Sequence, residues 1–548
     1  MISLLERTSS LSLLRADVAT EELARRLNCS PLTALLLQQR GVGGDQDGSA
    51  RALLHPSLGA ALAALHLGEG LDGARSALAD LKRGSRLVVY GDYDVDGVAS
   101  TVLAVEFGLL REARVRYYIP HRHSEGYGFH PEAARRILDE GCDFLIVLDC
   151  GSRDVEAVSL VSGAGVPVVV FDHHLDEGGR ARPRALVNPQ IDGDGEARRL
   201  CAAAVFWSAL ERLGVERGWL DERLDLVALA SLADCVPLGA LNRALVREGL
   251  ERIRGGRRPG LAALLSSLGL DRRSLSVDDL VMRVIPCLNA AGRLDVADRA
   301  VAVLLGEGRD AESLVTLNRR RQLLSGQVHQ EASSSMAEAS RLVLSSEAWP
   351  VGVLSGVASR LCRERDCPVV LAAPVGDLMR GTLRLPDGGN AVEILSGLSD
   401  SLETWGGHRF AAGFSVRRGL WPEVQENLEV LLRDVEREPE RIEALLVEPS
   451  EFRFDLLREI DALGPFGVGN PSPLFFCPWS GTERIAPLGR DGRHVKVERA
   501  GLSLLAFDGA RLFGELTAPP EGLLYGVREN VWQGRRRLQF LVERVVAR

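Results

Sequence analysis

The chain has 548 residues, of which 46% are hydrophobic and 26% charged, and its net charge is −9. Such a length predicts about three or four domains rather than one core, and the composition excludes disorder on a large scale. The acidic balance excludes a uniformly basic nucleic-acid coat, but not a local basic channel, because field follows charge distribution. The nine cysteines include no CxxC pair; Cys362 and Cys367 form a lone C-x4-C. That pattern predicts a reduced, cytoplasmic compartment. The start, Met1-Ile2-Ser3-Leu4-Leu5-Glu6-Arg7, is charged early and does not read as a signal peptide. No apolar run reaches about 18 residues, so no membrane span is expected.

Residues 1–80 read as short helices, an N-terminal arm with a Gly/Asp loop from Gly41 to Gly48. From 86 to about 240, apolar runs alternate with helical segments such as 130–140, the pattern of a parallel sheet. Residues 86–91 run into Asp92-Tyr93-Asp94-Val95-Asp96-Gly97, and a helix is expected over 98–110. Residues 143–148 run into Asp149-Cys150-Gly151, and 166–171 into Asp172-His173-His174. Asp234 follows the apolar stretch 226–233. Segment 240–300 reads as mostly helical. Segment 309–345 reads as one long polar helix, either a strut between domains or an ordinary surface helix. A second α/β unit starts near 350, with strand-like 351–356, a helix through Ala358–Arg365 and strand-like 368–374. A helical segment is expected over 421–447. Gly464 to Pro471 marks a boundary, and the short alternating runs of 474–548 predict a small β-barrel.

In an open α/β sheet, ligands sit beyond the carboxyl ends of the strands. Carboxylates gathered there repel one another unless cations lie between them. Carboxylate with imidazole, and no thiolate cluster, suits Mn²⁺ or Mg²⁺ better than structural zinc. These residues therefore predict a multi-metal site that hydrolyses a phosphoester. Asp92, Asp94 and Asp96 alternate, so they share a face if extended and can wrap a cation in a loop; a metal-free turn or a loose calcium loop are the alternatives. The Asp172-His173-His174 run is costly to bury without partners, and beside two other acidic strand ends it reads as ligation rather than filler. In the expected barrel, Arg490, Arg493, His494, Lys496, Arg499 and Arg535-Arg536-Arg537 interleave with Phe507, Phe513, Trp532 and Phe540. Basic groups with aromatic platforms suit single-stranded nucleic acid, although most of these rings could fill the core. Trp532, in a probable hairpin turn, is the best candidate for exposure.

The motifs GDYDVDG, LDCG, DHH and ADCVPL, in that order, resemble the DHH phosphoesterase superfamily. Further segments resemble the RecJ family of bacterial single-strand exonucleases: His121-Arg122 with Glu125-Gly126-Tyr127-Gly128, and Pro286 to Arg293. Residues 352–361 and 406–413 resemble the DHH-associated domain, and 464–475 the junction into an OB-fold. The resemblance runs from about residue 40 to the end. It implies an α/β fold: a DHH parallel-sheet domain and a DHH-associated α/β domain joined by a long helix, then an OB-fold barrel. The implied boundaries are 1–80 (arm), 81–305 (catalytic), 306–347 (connecting helix), 348–448 (DHH-associated) and 449–548 (OB-fold).

The resemblance also implies roles. Asp94, Asp96, Asp149, His173 and Asp234 would be core metal ligands, with Asp92 and Asp172 as ligands or their partners. His174 would touch the scissile phosphate, making His174, Asp149 and Asp96 the catalytic set. Arg122, Asn289 and Arg293 would bind substrate. Gly381-Thr382-Leu383-Arg384 lies where the family has G-S-x-R-S, so Thr382 and Arg384 would grip the 5′ phosphate while Gly406, Gly407 and His408 line the cleft. Arg493, Lys496, Trp532 and Arg535 would form the nucleic-acid track. Departures include Cys287 in place of a family arginine, which removes one cation near the phosphate, and Leu385 in place of the second serine.

The implied activity is 5′→3′ exonucleolytic degradation of single-stranded DNA to 5′-mononucleotides, in recombinational and mismatch repair. Hydroxide would attack the phosphorus in line between two cations, Mn²⁺ or Mg²⁺, bridged by Asp149. A monomer working beside a single-strand-binding protein and a RecQ-type helicase is expected. Two rival readings are a phosphodiesterase for short RNA or cyclic dinucleotides, which needs no barrel, and a DNA-binding scaffold, which would have lost its ligands. A pyrophosphatase fits less well, since its associated domain lacks the GGH segment.

Overall fold

A computed structural model describes residues 3–5, 10–42, 47–175, 178–306, 311–339, 342–435, 441–489, 491–532 and 535–547. The chain divides into two compact units. One joins Met1–Ala61, Pro237–Ala244 and Pro439–Arg548; the other joins Leu62–Val236 and Leu245–Glu438.

The larger unit holds two five-stranded sheets. The first contains β1 (Arg86–Tyr90), β2 (Arg114–Tyr118), β3 (Phe144–Leu148), β4 (Val168–Phe171) and β5 (Ala185–Val187). All are parallel, in the order β2-β1-β3-β4-β5. β3 and β4 are buried along their whole length, so their unbroken apolar runs are those of strands covered on both faces. Helix α1 (Val95–Leu110) is buried nearly all round and packs on α2 (Leu224–Ala233). Beyond these come α3 (Pro259–Ser267), α4 (Ile285–Leu294), α5 (Ala311–Ala339) and α6 (Val351–Arg365).

A charged knot lies inside this helical layer. Arg258, which caps α3, pairs with Asp225 of α2 at 2.6 Å and Glu106 of α1 at 2.8 Å, and donates to the Leu304 carbonyl at 2.6 Å. Arg223 shares Glu106 at 2.8 Å. The Arg258 and Asp225 side chains are only 10% and 5% exposed.

Helix α5 packs on α3 and α4, then on α6, where Val328, Ala332 and Met336 meet Val353, Leu354, Val357 and Leu361. These contacts make it a strut rather than a surface helix. Residues 351–356, expected as a strand, are the opening turns of α6. Pro350 caps that helix, and its buried residues at 353, 354, 357, 358, 361 and 362 follow helical spacing.

The second sheet contains β6 (Val343–Ser345), β7 (Val369–Val375), β8 (Leu378–Arg384), β9 (Thr404–His408) and β10 (Ala411–Arg417), in the order β9-β10-β8-β7-β6. Leu383, Ala412, Phe414 and Val416 turn one face to a core. Alternation puts Arg380, Thr382 and Arg384 on the other face. The helix expected over 421–447 stops at Arg433, and Arg441–Leu446 is a strand.

The smaller unit is a nine-stranded sheet. Its centre is a long hairpin of β11 (Gly522–Trp532) and β12 (Arg535–Val546). The N-terminal arm is not wholly helical. Ser10–Leu14 pairs in parallel with Arg441–Leu446, and Ser3–Leu5 with β12. Helices Val18–Leu27 and Pro31–Gln39 follow. Their Leu23, Leu36 and Leu37 share a core with Phe452, Phe475, Tyr525 and Phe540. Among the described residues, no helix is long and apolar enough to cross a membrane.

Removing one partner of a buried ion network strands the other charges. Arg258→Ala is therefore expected to lose about 3–5 kcal/mol in denaturant melts. Arg83→Ala, whose pair with Glu112 is solvent-exposed, should leave the midpoint unchanged.

Candidate metal centre and cleft

Six of the seven expected ligands lie just past or near the ends of β1, β3 and β4. Asp94 caps α1, its Oδ1 accepting from the Asp96 and Gly97 amides at 2.9 and 3.1 Å. A Cβ on Gly97 would lie 2.4 Å from the Asp92 carbonyl oxygen, so only glycine allows this tight entry. Asp96, in the first turn of α1, accepts from the Ala202 and Ala203 amides at 2.6 and 2.9 Å. Asp149 follows β3 with φ +63°, a left-handed conformation that is costly for a non-glycine residue. His173 follows Asp172 at the end of β4. Asp234 arrives differently: the stretch before it is helix α2, and Asp234 is its C-cap.

These side chains form three overlapping donor groups: Asp92/Asp94/Asp149, Asp96/His173/Asp234 and Asp149/His173/His174. His173 Nε2 stands 3.2 Å from Asp149 Oδ1 and 3.7 Å from Asp96 Oδ2, and its Nδ1 is 3.8 Å from Asp234 Oδ2. Asp92 Oδ1 and Asp149 Oδ1 are buried without a hydrogen-bond partner among the described residues. Burial, then repulsion between neighbours, pushes the Asp96 carboxyl up to about 7 and Asp234 to about 8. Asp92 and Asp149 are raised for the same reasons. Burial holds His173 down at about 4, as the neutral imidazole a metal requires. Orphaned buried oxygens, mutually repelling carboxylates and a neutral imidazole fit oxygen-preferring divalent cations.

Asp172, expected as a ligand or a ligand's partner, is taken up by protein donors. It accepts from the Ser152 amide at 3.1 Å, the His173 and His174 amides at 2.7 and 3.2 Å, and His174 Nδ1 at 2.8 Å. Against its burial, the His174 hydrogen bond holds the Asp172 carboxyl below the usual range. Against its own burial, the Asp172 bond and charge raise His174 to about 9. Nδ1 is thus committed to Asp172, leaving Nε2 to face a reactant. Tyr127 adds a contact of 3.0 Å to His174 Nδ1 and donates to the Asp149 carbonyl at 3.2 Å.

A cavity of about 670 Å³ lies between residues of the first-sheet domain, including Tyr93, Arg122 and His123, and strands β8–β10. Arg122, Thr382, Arg384, Gly406 and Gly407 line it. Gly407 lines it with backbone alone: its φ is +149°, and a Cβ would fall 2.4 Å from the Ala411 oxygen. Asn289, Arg293 and His408 are not among its described lining residues. Arg293 is half-buried on α4, and its Nη1 reaches Ser355 Oγ at 3.3 Å; Asn289 lies one turn earlier. His408 sits opposite Ala411, which lies between it and Arg384 in the sheet. Arg384 donates to Ser359 Oγ and Thr382 Oγ1 at 2.9 and 2.8 Å. Cys287 is buried and accepts from Asn318 at 3.4 Å, so no cation stands there. Tyr127, Ser355 and Ser359 were not singled out from sequence, though all three lie inside the matched motifs.

The expected nucleic-acid track is altered. Arg493 pairs with Asp491 at 2.6 Å and Lys496 with Glu498 at 2.5 Å. The Trp532 side chain and Arg490 lie outside the described residues. Arg535 is exposed and unpaired among the described residues. Arg537, of the basic run noted in the sequence, and Arg528, which was not noted there, join it: the pairings Arg535–Trp532, Arg537–Asn530 and Gln539–Arg528 place them on one ribbon face.

Comparison with known proteins agrees with this geometry. A family model described as the DHH family, N-terminal domain, matches residues 86–239, and one described as the RecJ OB domain matches 445–544. The chain is 34% identical to a single-stranded-DNA-specific exonuclease RecJ of Thermus thermophilus over 94% of its length and 75% of the relative's. It is 31% identical to the protein of that name from Escherichia coli, covering 85% of this chain and 88% of that one. A crystal structure of RecJ in complex with Mn²⁺ from Thermus thermophilus superposes with a TM-score of 0.82 at 28% identity, over 98% of this chain and 79% of that one. A Mg²⁺ complex from the same organism gives 0.76 at 28% identity, covering all of this chain and 79% of that one.

Cation binding must displace protons from Asp96 and Asp234, so affinity rises with pH through about 7 and 8. Calorimetric titration with Mn²⁺ at pH 6 and 8.5 should give tighter binding at the higher value; equal affinities would contradict it. At a hundredfold excess over Kd, the cation should stabilise the fold by about 2.7 kcal/mol. Asp149→Ala should abolish that gain.

Proposed function

The chain belongs to the RecJ family of single-stranded-DNA-specific exonucleases, and on that premise we propose that it hydrolyses single-stranded DNA from the 5′ end, releasing 5′-mononucleotides. The observation that carries this reading is the pair of donor triads, Asp92/Asp94/Asp149 and Asp96/His173/Asp234, joined by the 3.2 Å approach of His173 Nε2 to Asp149 Oδ1; these residues would hold the cations. Bound there, Mn²⁺ or Mg²⁺ would supply Lewis acidity to the phosphoryl oxygens and lower the pKa of the attacking water.

The remaining work belongs to side chains. Asp172 fixes the His174 ring, so Nε2–H is presented to a phosphate oxygen. Arg122 and Arg293 supply guanidinium forks for the phosphate at the centre. Thr382 and Arg384 hold the 5′-terminal phosphate, with Asn289, Gly406, Gly407 and His408 shaping the path of the terminal nucleotide. The unpaired face of the β11–β12 ribbon, with Arg528, Arg535 and Arg537, receives the rest of the strand, and Arg493 and Lys496 contribute less because acids already hold them. The division of the chain into arm (1–80), catalytic domain (81–305), connecting helix (306–347), DHH-associated domain (348–448) and OB-fold (449–548) belongs to the same proposal, with the arm supplying strands to the OB-fold. So do a monomeric state, a cytoplasmic location, and work in recombinational and mismatch repair with a single-strand-binding protein and a RecQ-type helicase.

The test uses 5′- or 3′-labelled single strands and a matched duplex with Mn²⁺. Stepwise loss from the 5′ end of single strands is expected, with Asp149→Ala inactive. His174→Ala should lower kcat by about 10²–10⁴ while retaining DNA binding. Loss from the 3′ end, or binding without cleavage, would overturn the reading.

A further inference from the structure

On the reading that Arg122 and Arg293 bind the central phosphate, we propose that His123 is the residue that positions them, by tying the loop that carries Arg122 to the helix end that carries Arg293. His123 stands in the cavity wall with Arg122 and Ser355. Its Nε2 lies 2.9 Å from the Arg293 carbonyl oxygen. A carbonyl only accepts, so Nε2 carries the hydrogen and donates it. Arg293 is the next-to-last residue of α4, and its carbonyl is among those that a helix end leaves without an intrahelical donor. His123 supplies that donor.

Close backbone contacts make the tie a rigid one. Arg293 Nη1 donates to the Gly352 carbonyl and to Ser355 Oγ of α6 at 3.4 and 3.3 Å. A Cβ on Gly352 would fall 2.2 Å from the Arg293 carbonyl oxygen and 3.4 Å from the His123 ring. A Cβ on Gly292 would fall 2.5 Å from the Tyr93 carbonyl oxygen. The Arg122 guanidinium in turn lies over the Tyr93 ring, 4.7 Å from its centre. Arg122, Tyr93, α4 and His123 therefore form a closed circuit. The loop itself is folded back on β2, since Glu125 accepts from Tyr118 and from the His121 amide, and the Ser124 amide donates to His121 Nδ1. The two arginines repel one another, so their spacing needs a support. Burial, then the Arg122 charge, lowers the Arg293 guanidinium to about 10. Burial and the nearby Arg122, His121 and Arg380 outweigh the Arg293 bond and hold His123 below its usual range. At neutral pH it therefore joins the two arginines without adding a charge of its own.

The test separates position from packing. His123→Phe keeps a ring and removes the donor, whereas His123→Gln returns an amide N–H close to where Nε2 stood. Both are compared with wild type, with Arg293→Ala, and with Arg293→Ala combined with His123→Phe. The full chain is given 5′-phosphorylated single strands and Mn²⁺, and kcat and KM are measured beside the thermal midpoint and the Mn²⁺ affinity. His123→Phe is expected to lower kcat about tenfold with KM and Mn²⁺ affinity little changed, the mark of a misplaced phosphate contact. His123→Gln should recover most of that rate. In the Arg293→Ala background His123→Phe should cost nothing further, because both substitutions remove one effect. Should His123→Phe lower the thermal midpoint, the glutamine variant and the Arg293→Ala background still decide. An unchanged kcat in His123→Phe, no recovery in His123→Gln, or the same loss repeated in the Arg293→Ala background overturns the proposal. The underlying reading fails separately, if Arg293→Ala alone leaves both kcat and KM unaltered.

Discussion

Mutual repulsion among buried carboxylates is the constraint on which the rest of this protein depends. Asp92, Asp96 and Asp149 are nearly inaccessible to water, and Asp94 and Asp234 stand beside them. Among the described residues, Arg122 and His174 offset this set only in part, and burial still raises the Asp92, Asp96 and Asp234 carboxyls. The nearest imidazole, His173, is itself held neutral by burial. The other, His174, is committed to Asp172. The scaffold keeps the arrangement anyway, through the left-handed backbone at Asp149, the glycine at 97 and the amides of Ala202 and Ala203. Protons relieve this repulsion at low pH, as the raised Asp96 and Asp234 carboxyls record, and a divalent ion is the compact way to relieve it once they are ionised. Metal binding and local stability are therefore one quantity here.

The second requirement is a grip on the polyanion at a fixed distance from that centre. The proposed source of that grip is the other sheet of the same unit, whose β8, β9 and β10 line the cavity. Helix α5 sets the distance, being packed on α3 and α4 at one part and on α6 at another. The cations lining the cleft belong to both sheets' domains, Arg122 to one and Arg380 and Arg384 to the other.

Much of this was legible in the chain. The acids at 92, 149 and 172 announce themselves because buried parallel strands read as uninterrupted apolar runs, and each run ends abruptly in charge. Asp234 was legible as a site but not as structure. LVALASLA is apolar on every side, and a fully buried helix has no periodicity to distinguish it from a strand. The same ambiguity turned the valines at 351 and 353 into a supposed strand, although Pro350 is a helix-opening signal. The N-terminal strands were missed because their partners lie over 400 residues away at Arg441–Leu446 and in β12. Counting basic residues in the OB region misled for a simpler reason. Asp491 and Glu498 stand two residues from Arg493 and Lys496; strand alternation brings Glu498 to Lys496, and the turn before that strand brings Asp491 to Arg493. The role of Asp172 needed coordinates, since four donors converge on its two oxygens.

The central claim is that Asp149 joins two cation positions made by the two donor triads. Anomalous diffraction from crystals grown with Mn²⁺ tests it most directly. The account predicts two peaks, about 3.5–4 Å apart, both within coordination distance of Asp149 and flanked by Asp92/Asp94 and by Asp96/His173/Asp234. A single peak, or two peaks with Asp149 bound to neither, would contradict it.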